Sequence, residues 1–282
     1  MPPRMSAACW RSSDRSGGLI VVWYRRARTA ARWTPVARCC APGGKGSAAD
    51  RRIVGAAALL SFGLVAPDAR AEIGYSLTVG SDDRFRGTST SDHLPVGTFA
   101  VSYDDTSGLY GGASATVSPV RGDGVRIIRS VQYIGWAQRI APLLSLDVGV
   151  SNRLYDRRST VEYSRRFAQF YAGVIGQRVS SHIFFAPDYD GYGNAATYAQ
   201  MDALLVEQGR LSLTGHVGAL RPPRSERYGR ALEYDWQLGA IRRLGARSSI
   251  GFAWVGSGPK ADEEPTARRW QSALVFSANQ SF

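Results

Sequence analysis

Segments in which every second residue is apolar recur along residues 72–282, and this period-two pattern constrains the fold more than any other feature. In the first segment Ile73, Tyr75, Leu77 and Val79 alternate with small polar residues or glycine. Successive side chains of a β-strand point to opposite faces, so each segment predicts a strand with one apolar and one polar face. No stretch of this region stays apolar for the roughly 20 residues that a membrane-spanning helix needs.

Twelve strands are predicted on this basis, at about 73–80, 97–103, 109–118, 125–140, 144–151, 165–176, 178–186, 196–207, 211–219, 233–240, 250–254 and 270–282. The connections near residues 107, 141, 177, 208 and 245 are short. The others are longer and rich in Gly, Pro and charge, near 83–95, 119–125, 156–164, 187–195, 221–229 and 257–267. Short turns at one end and long loops at the other are typical of an up-and-down barrel.

The predicted fold is therefore all-β: a single up-and-down antiparallel transmembrane β-barrel of about twelve strands, residues 72–282. Inside a membrane the backbone must be fully paired, so a sheet that enters one has to close. A soluble β-sandwich or lipocalin-like barrel alternates in the same way and remains the alternative. Other features of the chain favour the membrane version.

An export signal precedes this region. Arg51 and Arg52 stand before the apolar run 53–65, which is followed by a small-residue site ending at Ala71. This order predicts a secretory signal peptide over residues 51–71, cleaved near Ala71, although the run could also be a buried helix. Residues 1–50 are rich in Arg, Ala, Ser and Gly without steady periodicity. They are expected to be a disordered extension or to precede a downstream translation start.

The last predicted strand ends on Phe282. A closing strand with a terminal aromatic residue is typical of bacterial outer-membrane barrels, whose aromatic girdles lie at the membrane interfaces. Phe282 is therefore expected to be a C-terminal assembly signal. The expected partners are outer-membrane lipid and, during biogenesis, the barrel-assembly machinery and periplasmic chaperones.

The formal net charge of +12 suggests nucleic acid as a partner, but its distribution does not. Residues 1–71 contain 12 of the 35 basic residues and only three of the 23 acidic ones. Cys9, Cys39 and Cys40 also lie there. The exported part is thus expected to have no nucleic-acid partner, and it contains no cysteine for disulfides or thiolate metal sites.

The block Ser-Asp-Asp-Arg-Phe-Arg-Gly at 81–87, with Ser-Asp at 91–92, resembles the opening of the TorF-type family of bacterial porins, although Asp83 replaces the usual Tyr. The resemblance continues over the rest of the region, at 107–113, 186–189 and 281–282. It implies an outer-membrane barrel without implying a substrate.

If the first strand continues past Gly80, its alternation directs Arg84 and Arg86 into the lumen and Phe85 towards the membrane. Inward arginines would attract anions, or they would pair with inward acids and fill the lumen. The candidate lumen residues are Asp82, Arg84, Arg86, Asp147, Asp202, His216, Glu233 and Asp235.

Catalytic and metal chemistry have little support in the sequence. None of the three histidines belongs to a His-x-Ser pair, and only Ser212 and Thr214, on the face of His216, leave a weak option for a lipid-acting enzyme. Residues 188–194 resemble a calcium loop in composition but lack its spacing. We therefore expect no catalytic residue, metal or cofactor. The expected function is passive diffusion of small solutes, with a non-conducting structural or adhesive barrel as the main alternative.

Overall fold

The computed structural model describes residues 71–120, 122–156, 165–223, 232–258 and 271–282, together with two short paired strands, Arg11–Ser12 and Val22–Trp23. The predicted signal peptide lies outside the described residues except for Ala71, as does nearly all of the predicted N-terminal extension. None of the described residues forms a helix that is long and apolar enough to cross a membrane.

Twelve antiparallel strands close into one barrel, which confirms the predicted fold class. They are β1 Glu72–Gly80, β2 Val96–Asp104, β3 Leu109–Val120, β4 Gly124–Ala141, β5 Leu144–Tyr155, β6 Arg166–Ile175, β7 Val179–Ala186, β8 Ala196–Gln208, β9 Leu211–Arg221, β10 Glu233–Arg243, β11 Ser248–Ser257 and β12 Gln271–Ser281. Each strand pairs with the next, and β12 returns to β1. This seam joins five residues of each strand, from Ser277 with Gly80 to Ser281 with Ser76.

The connections follow the predicted alternation of length with one exception. The connection between β3 and β4 was expected near 119–125 among the long loops, but the two strands continue to Val120 and from Gly124. The N–H of Asp123 donates to the carbonyl of Val120 at 3.0 Å and closes a tight turn there. A β-bulge between Thr116 and Val117 shifts the pairing register of β3 and β4 between this turn and the rest of the hairpin.

The two faces of the barrel are opposite in character. Outward residues such as Val79, Leu238 and Phe276 are apolar and at least half exposed. Aromatic rings also pair along the outside, with the centroids of half-buried Trp236 and exposed Trp254 4.6 Å apart. Inward positions carry polar and small residues together with one buried cluster of apolar and aromatic side chains. A water-soluble monomer rarely exposes a continuous apolar surface of this extent, so the exterior matches lipid.

The interior is asymmetric around its circumference. From β3 to β8 the wall carries large side chains, whose rings lie over glycines of neighbouring strands where an added methyl group would collide: Tyr133 on Gly112, Tyr110 on Gly135, Tyr171 on Gly149 and His182 on Gly173. From β11 to β2 the wall carries mostly small residues, including Gly74, Ser76, Thr78, Ala100, Ser102, Gly251, Ala253 and Ser277. Small inward side chains are therefore concentrated on the β11–β2 side of the barrel, and large ones on the β3–β8 side.

An outward charge tests the orientation of the strands. Leu238→Arg places a guanidinium at the middle of the apolar face of β10, and we expect it to lower the unfolding free energy in lipid vesicles by about 2–4 kcal/mol. Gln237→Arg, on the same strand but directed inward, is the matched control and should cost much less. Equal losses in the two variants would contradict the assignment of faces.

Candidate functional site: the lumen and its inner segment

Residues 81–95, here called the lumen segment, do not extend β1 but fold into the barrel. The expectation that β1 continues past Gly80 was wrong, because a small hairpin pairs Arg84–Phe85 with Thr88–Ser89. The three described non-glycine residues with left-handed backbone all lie in this segment, Arg86, Asp92 and His93, with φ of 51°, 56° and 58°. These reversals turn the chain inward, so that Phe85 is 8% exposed and lies inside the barrel rather than at the membrane rim.

One end of the lumen segment is fastened to β3 and β4. Arg129 on β4 donates to the Asp83 carboxylate at 2.8 Å and to the Thr116 hydroxyl at 3.2 Å. The hydroxyl of Thr90 also donates to the Asp83 carboxylate. Arg129 was not among the predicted site residues. The signal that could have found it is Asp83 itself, an acid where the TorF-type pattern has Tyr, which requires an inward cation once it is buried.

Phe85 fastens the middle of the segment to the wall formed by β5 to β9. Its ring belongs to a buried apolar cluster built from five strands and one loop: Tyr155, Phe167, Tyr171, Phe184, Ala186, Tyr189, Ala196, Tyr198 and Leu220. The guanidinium carbon of Arg153 lies 4.8 Å from the Phe85 ring centroid. Most of these residues lie towards the long-loop ends of their strands, so the apolar cluster lies inside that end of the barrel.

Arg86 is held by aromatic rings. Its guanidinium carbon lies 3.9 Å from the ring centroid of Tyr198 and 5.2 Å from that of Tyr189, and its Nη1 donates to the Tyr189 hydroxyl at 2.8 Å. Burial raises the pKa of Tyr189 to about 12, so this hydroxyl stays neutral and can accept the bond. Among the described residues no carboxylate lies within salt-bridge distance of Arg86.

Gly87 completes the crossing at β11. Its φ of 78° disfavours other residues, and an added methyl group would lie 2.5 Å from the Gly256 carbonyl oxygen and 2.8 Å from Ser257 Cβ. The lumen segment thus reaches from β3 and β4 across to β8 and β11 and spans the interior.

Asp82 and Arg84 form a pair within the segment. Arg84 Nε donates to Asp82 Oδ2 at 2.8 Å, and both side chains are buried. Arg84 also donates to the Gly87 carbonyl at 2.6 Å, while Ser89 and Ser91 donate to Asp82 Oδ1. These two predicted site residues therefore neutralise each other and shape the segment.

Asp147 and His182 form a second buried group on the strands. Asp147 is fully buried and accepts hydrogen bonds from Tyr110 at 2.6 Å and from His182 Nε2 at 2.8 Å. The Tyr110 and Tyr171 hydroxyls are 2.7 Å apart. This network joins β3, β5, β6 and β7 across the barrel wall.

His216 joins the other predicted acids. Its Nδ1 lies 2.7 Å from Asp202 and its Nε2 lies 3.0 Å from Asp235, to which the Tyr198 hydroxyl also donates at 3.1 Å. Because carboxylates accept hydrogen bonds, both ring nitrogens of His216 donate, and none is available as a base towards Ser212 or Thr214. Glu233, the remaining predicted acid, is half-buried and stands two residues before Asp235 on β10.

The loop 187–195 uses its acids for its own structure. Asp188 accepts a hydrogen bond from the Gly193 N–H at 2.8 Å. Burial acts to raise the pKa of Asp190, but hydrogen bonds from the Asn194 side chain and from the N–H groups of Tyr192 and Asn194 outweigh it and hold that pKa below its ordinary value. The part of the chain that the structure describes contains no group of three acidic, His or Cys residues arranged to hold a metal.

Residues 65–282 match the model of a family described as "Bacterial protein of unknown function (Gcw_chp)". The chain belongs to this family. No curated protein matches the sequence. Among solved structures, this Gcw_chp barrel is similar to a KdgM porin, with 7% identity, a TM-score of 0.47 and coverage of 74% of this chain and 99% of that one. It is also similar to an outer membrane channel from Pseudomonas putida F1, with 10% identity, a TM-score of 0.42 and coverage of 75% and 95%.

Proposed function

We propose that this Gcw_chp-family barrel is a bacterial outer-membrane channel for passive diffusion of small polar solutes. The observation that carries the proposal is a closed barrel whose outside is apolar and whose inside contains buried charged and polar networks beside one apolar cluster. Such a wall satisfies its backbone internally and offers lipid one face and water the other. The predicted signal peptide and the resemblance to the TorF-type porins support the same location. The barrel-assembly machinery and periplasmic chaperones are proposed as its partners during biogenesis.

The lumen is expected to be wide at one end and narrow at the other. Near the short turns the inward residues of β1, β2 and β9 are small, polar and half-buried, as at Ser76, Ser102, Ser212 and Thr214. Near the long loops it contains the lumen segment. Short turns face the periplasm in barrels of this kind, so the vestibule would open inward and the narrow part would face outward.

Single-channel recording in planar bilayers tests this function. We expect small, discrete conductance steps from folded protein. The packed lumen segment is the one observation that favours a non-conducting structural barrel instead. Folded protein that inserts into the bilayer without conductance steps would establish that alternative.

Ion selectivity should depend on Arg86 rather than on Arg84. Arg84 is neutralised by Asp82, whereas Arg86 is half-buried and lacks a described acid partner. We expect Arg86→Gln to weaken the preference for anions in reversal-potential measurements. Roughly 1 M salt, with a Debye length near 3 Å, should mask the difference.

The matched control for this measurement is the double variant Asp82→Asn/Arg84→Gln, which changes two lumen residues but no net charge. It should keep the anion preference. Loss of the preference in this control and not in Arg86→Gln would contradict the assignment.

A further inference from the structure

The pocket that holds Arg86 is built as a cation site. The face of Tyr198 lies directly under the guanidinium, and Tyr189 contributes both a ring face and a hydrogen-bond acceptor. A ring face attracts a cation, and a planar guanidinium stacks on it better than an ammonium does. Two acids lie near these rings: Asp235 accepts a hydrogen bond from the Tyr198 hydroxyl and so fixes that ring in place, and Glu233 acts electrostatically on Tyr189.

The present occupant, Arg86, is held by three aromatic ring faces and one described hydrogen bond, but by no described carboxylate. Arg86 makes its described hydrogen bond through Nη1, while its buried Nε meets no acceptor in the described part of the chain. Its backbone is in the left-handed region, with φ of 51°, and Gly87 follows at 78°. Such a conformation costs on the order of 1–3 kcal/mol and persists only while the surroundings hold it.

We propose that the Tyr189–Tyr198 pocket, backed by Asp235, is a binding site for guanidinium-bearing solutes, and that Arg86 is a tethered occupant which such a solute replaces. Replacement removes one fastening of the lumen segment, while the pair of Asp83 with Arg129 remains. The binding step stands by itself, whereas the resulting opening of the lumen rests on the proposed channel function. A tethered group competes at an effective concentration in the millimolar range, so the free solute should act at millimolar concentrations.

Binding can be tested by a measurement that does not depend on conductance. In ligand-observed NMR with the detergent-solubilised barrel, methylguanidinium should give a strong saturation-transfer signal with Arg86→Ala and a weaker one with the unchanged protein. Methylammonium should give little signal with either. A second change, Tyr198→Leu in the Arg86→Ala background, should abolish the methylguanidinium signal. Equal signals for the two cations, or a signal that survives Tyr198→Leu, would overturn the site.

The opening step is tested by conductance. Arg86→Ala should open more often or to a higher level, and millimolar methylguanidinium, but not methylammonium, should restore the lower level. Arg126→Ala, which removes an exposed rim arginine paired with Asp123, is the control and should show neither effect. If Arg86→Ala does not fold, Arg86→Lys replaces it. If no variant conducts, the channel function fails and the NMR comparison alone decides the site.

Discussion

Removing the lumen segment should raise the single-channel conductance several-fold while leaving the barrel folded. The segment crosses the interior, with contacts to β3 and β4 at one end and to β8 and β11 at the other. We therefore expect it to be the main obstacle on the path of a solute. Gly80 and Val96 are a directly paired position of β1 and β2, so a short turn can replace residues 82–94 without moving either strand. The measurement is conductance in planar bilayers, with circular dichroism as the check on the barrel.

A single substitution with a matched control tests whether the position of the lumen segment, and not the loss of residues, changes the conductance. Gly87→Ala forces a side chain against β11 and disfavours the backbone, so it should dislodge the segment and raise conductance. Gly122 has a similar φ of 83° but open space around it, so Gly122→Ala carries the backbone cost without the collision. Unchanged conductance after the deletion would show that another part of the chain limits flow.

His182→Leu is expected to lower the unfolding free energy by about 3 kcal/mol, because it removes the imidazole that donates a hydrogen bond to the fully buried Asp147 carboxylate. The double variant Asp147→Leu/His182→Leu removes both groups, and it should lose less than the sum of the two single changes. Reversible denaturation in lipid vesicles measures all three. Strictly additive losses would show that the two side chains do not act as a pair.

The strands could be predicted because their signal is local. Alternation at period two needs only neighbouring residues, and it assigns Asp147, Asp202, His216 and Asp235 to the polar face of their strands. Their mutual contacts depend on register between strands, which alternation along one strand does not contain. The sequence therefore predicts His216 as a lumen residue, but its position between Asp202 and Asp235 follows only from the pairing of the strands.

The lumen segment was missed for two physical reasons. Its path depends on left-handed backbone at Arg86 and Asp92, a conformation that non-glycine residues rarely adopt and that no sequence pattern here indicated. Its contacts also join residues far apart in the chain, such as Asp83 with Arg129 and Arg86 with Tyr189. That Arg84 is neutralised could not be predicted either, because it depends on the folded path that brings the Asp82 carboxylate to its guanidinium.

The seam between β12 and β1 joins five residue pairs, whereas β1 and β2 share nine. Fewer ladder hydrogen bonds make this seam the place where the wall should come apart first under heat or force. The lumen segment follows Gly80, the last residue of β1, which is itself part of that seam. If β1 separates from β12, it should therefore displace residue 81 and the start of the lumen segment. Opening of the barrel wall and release of the lumen segment should then begin at the same place.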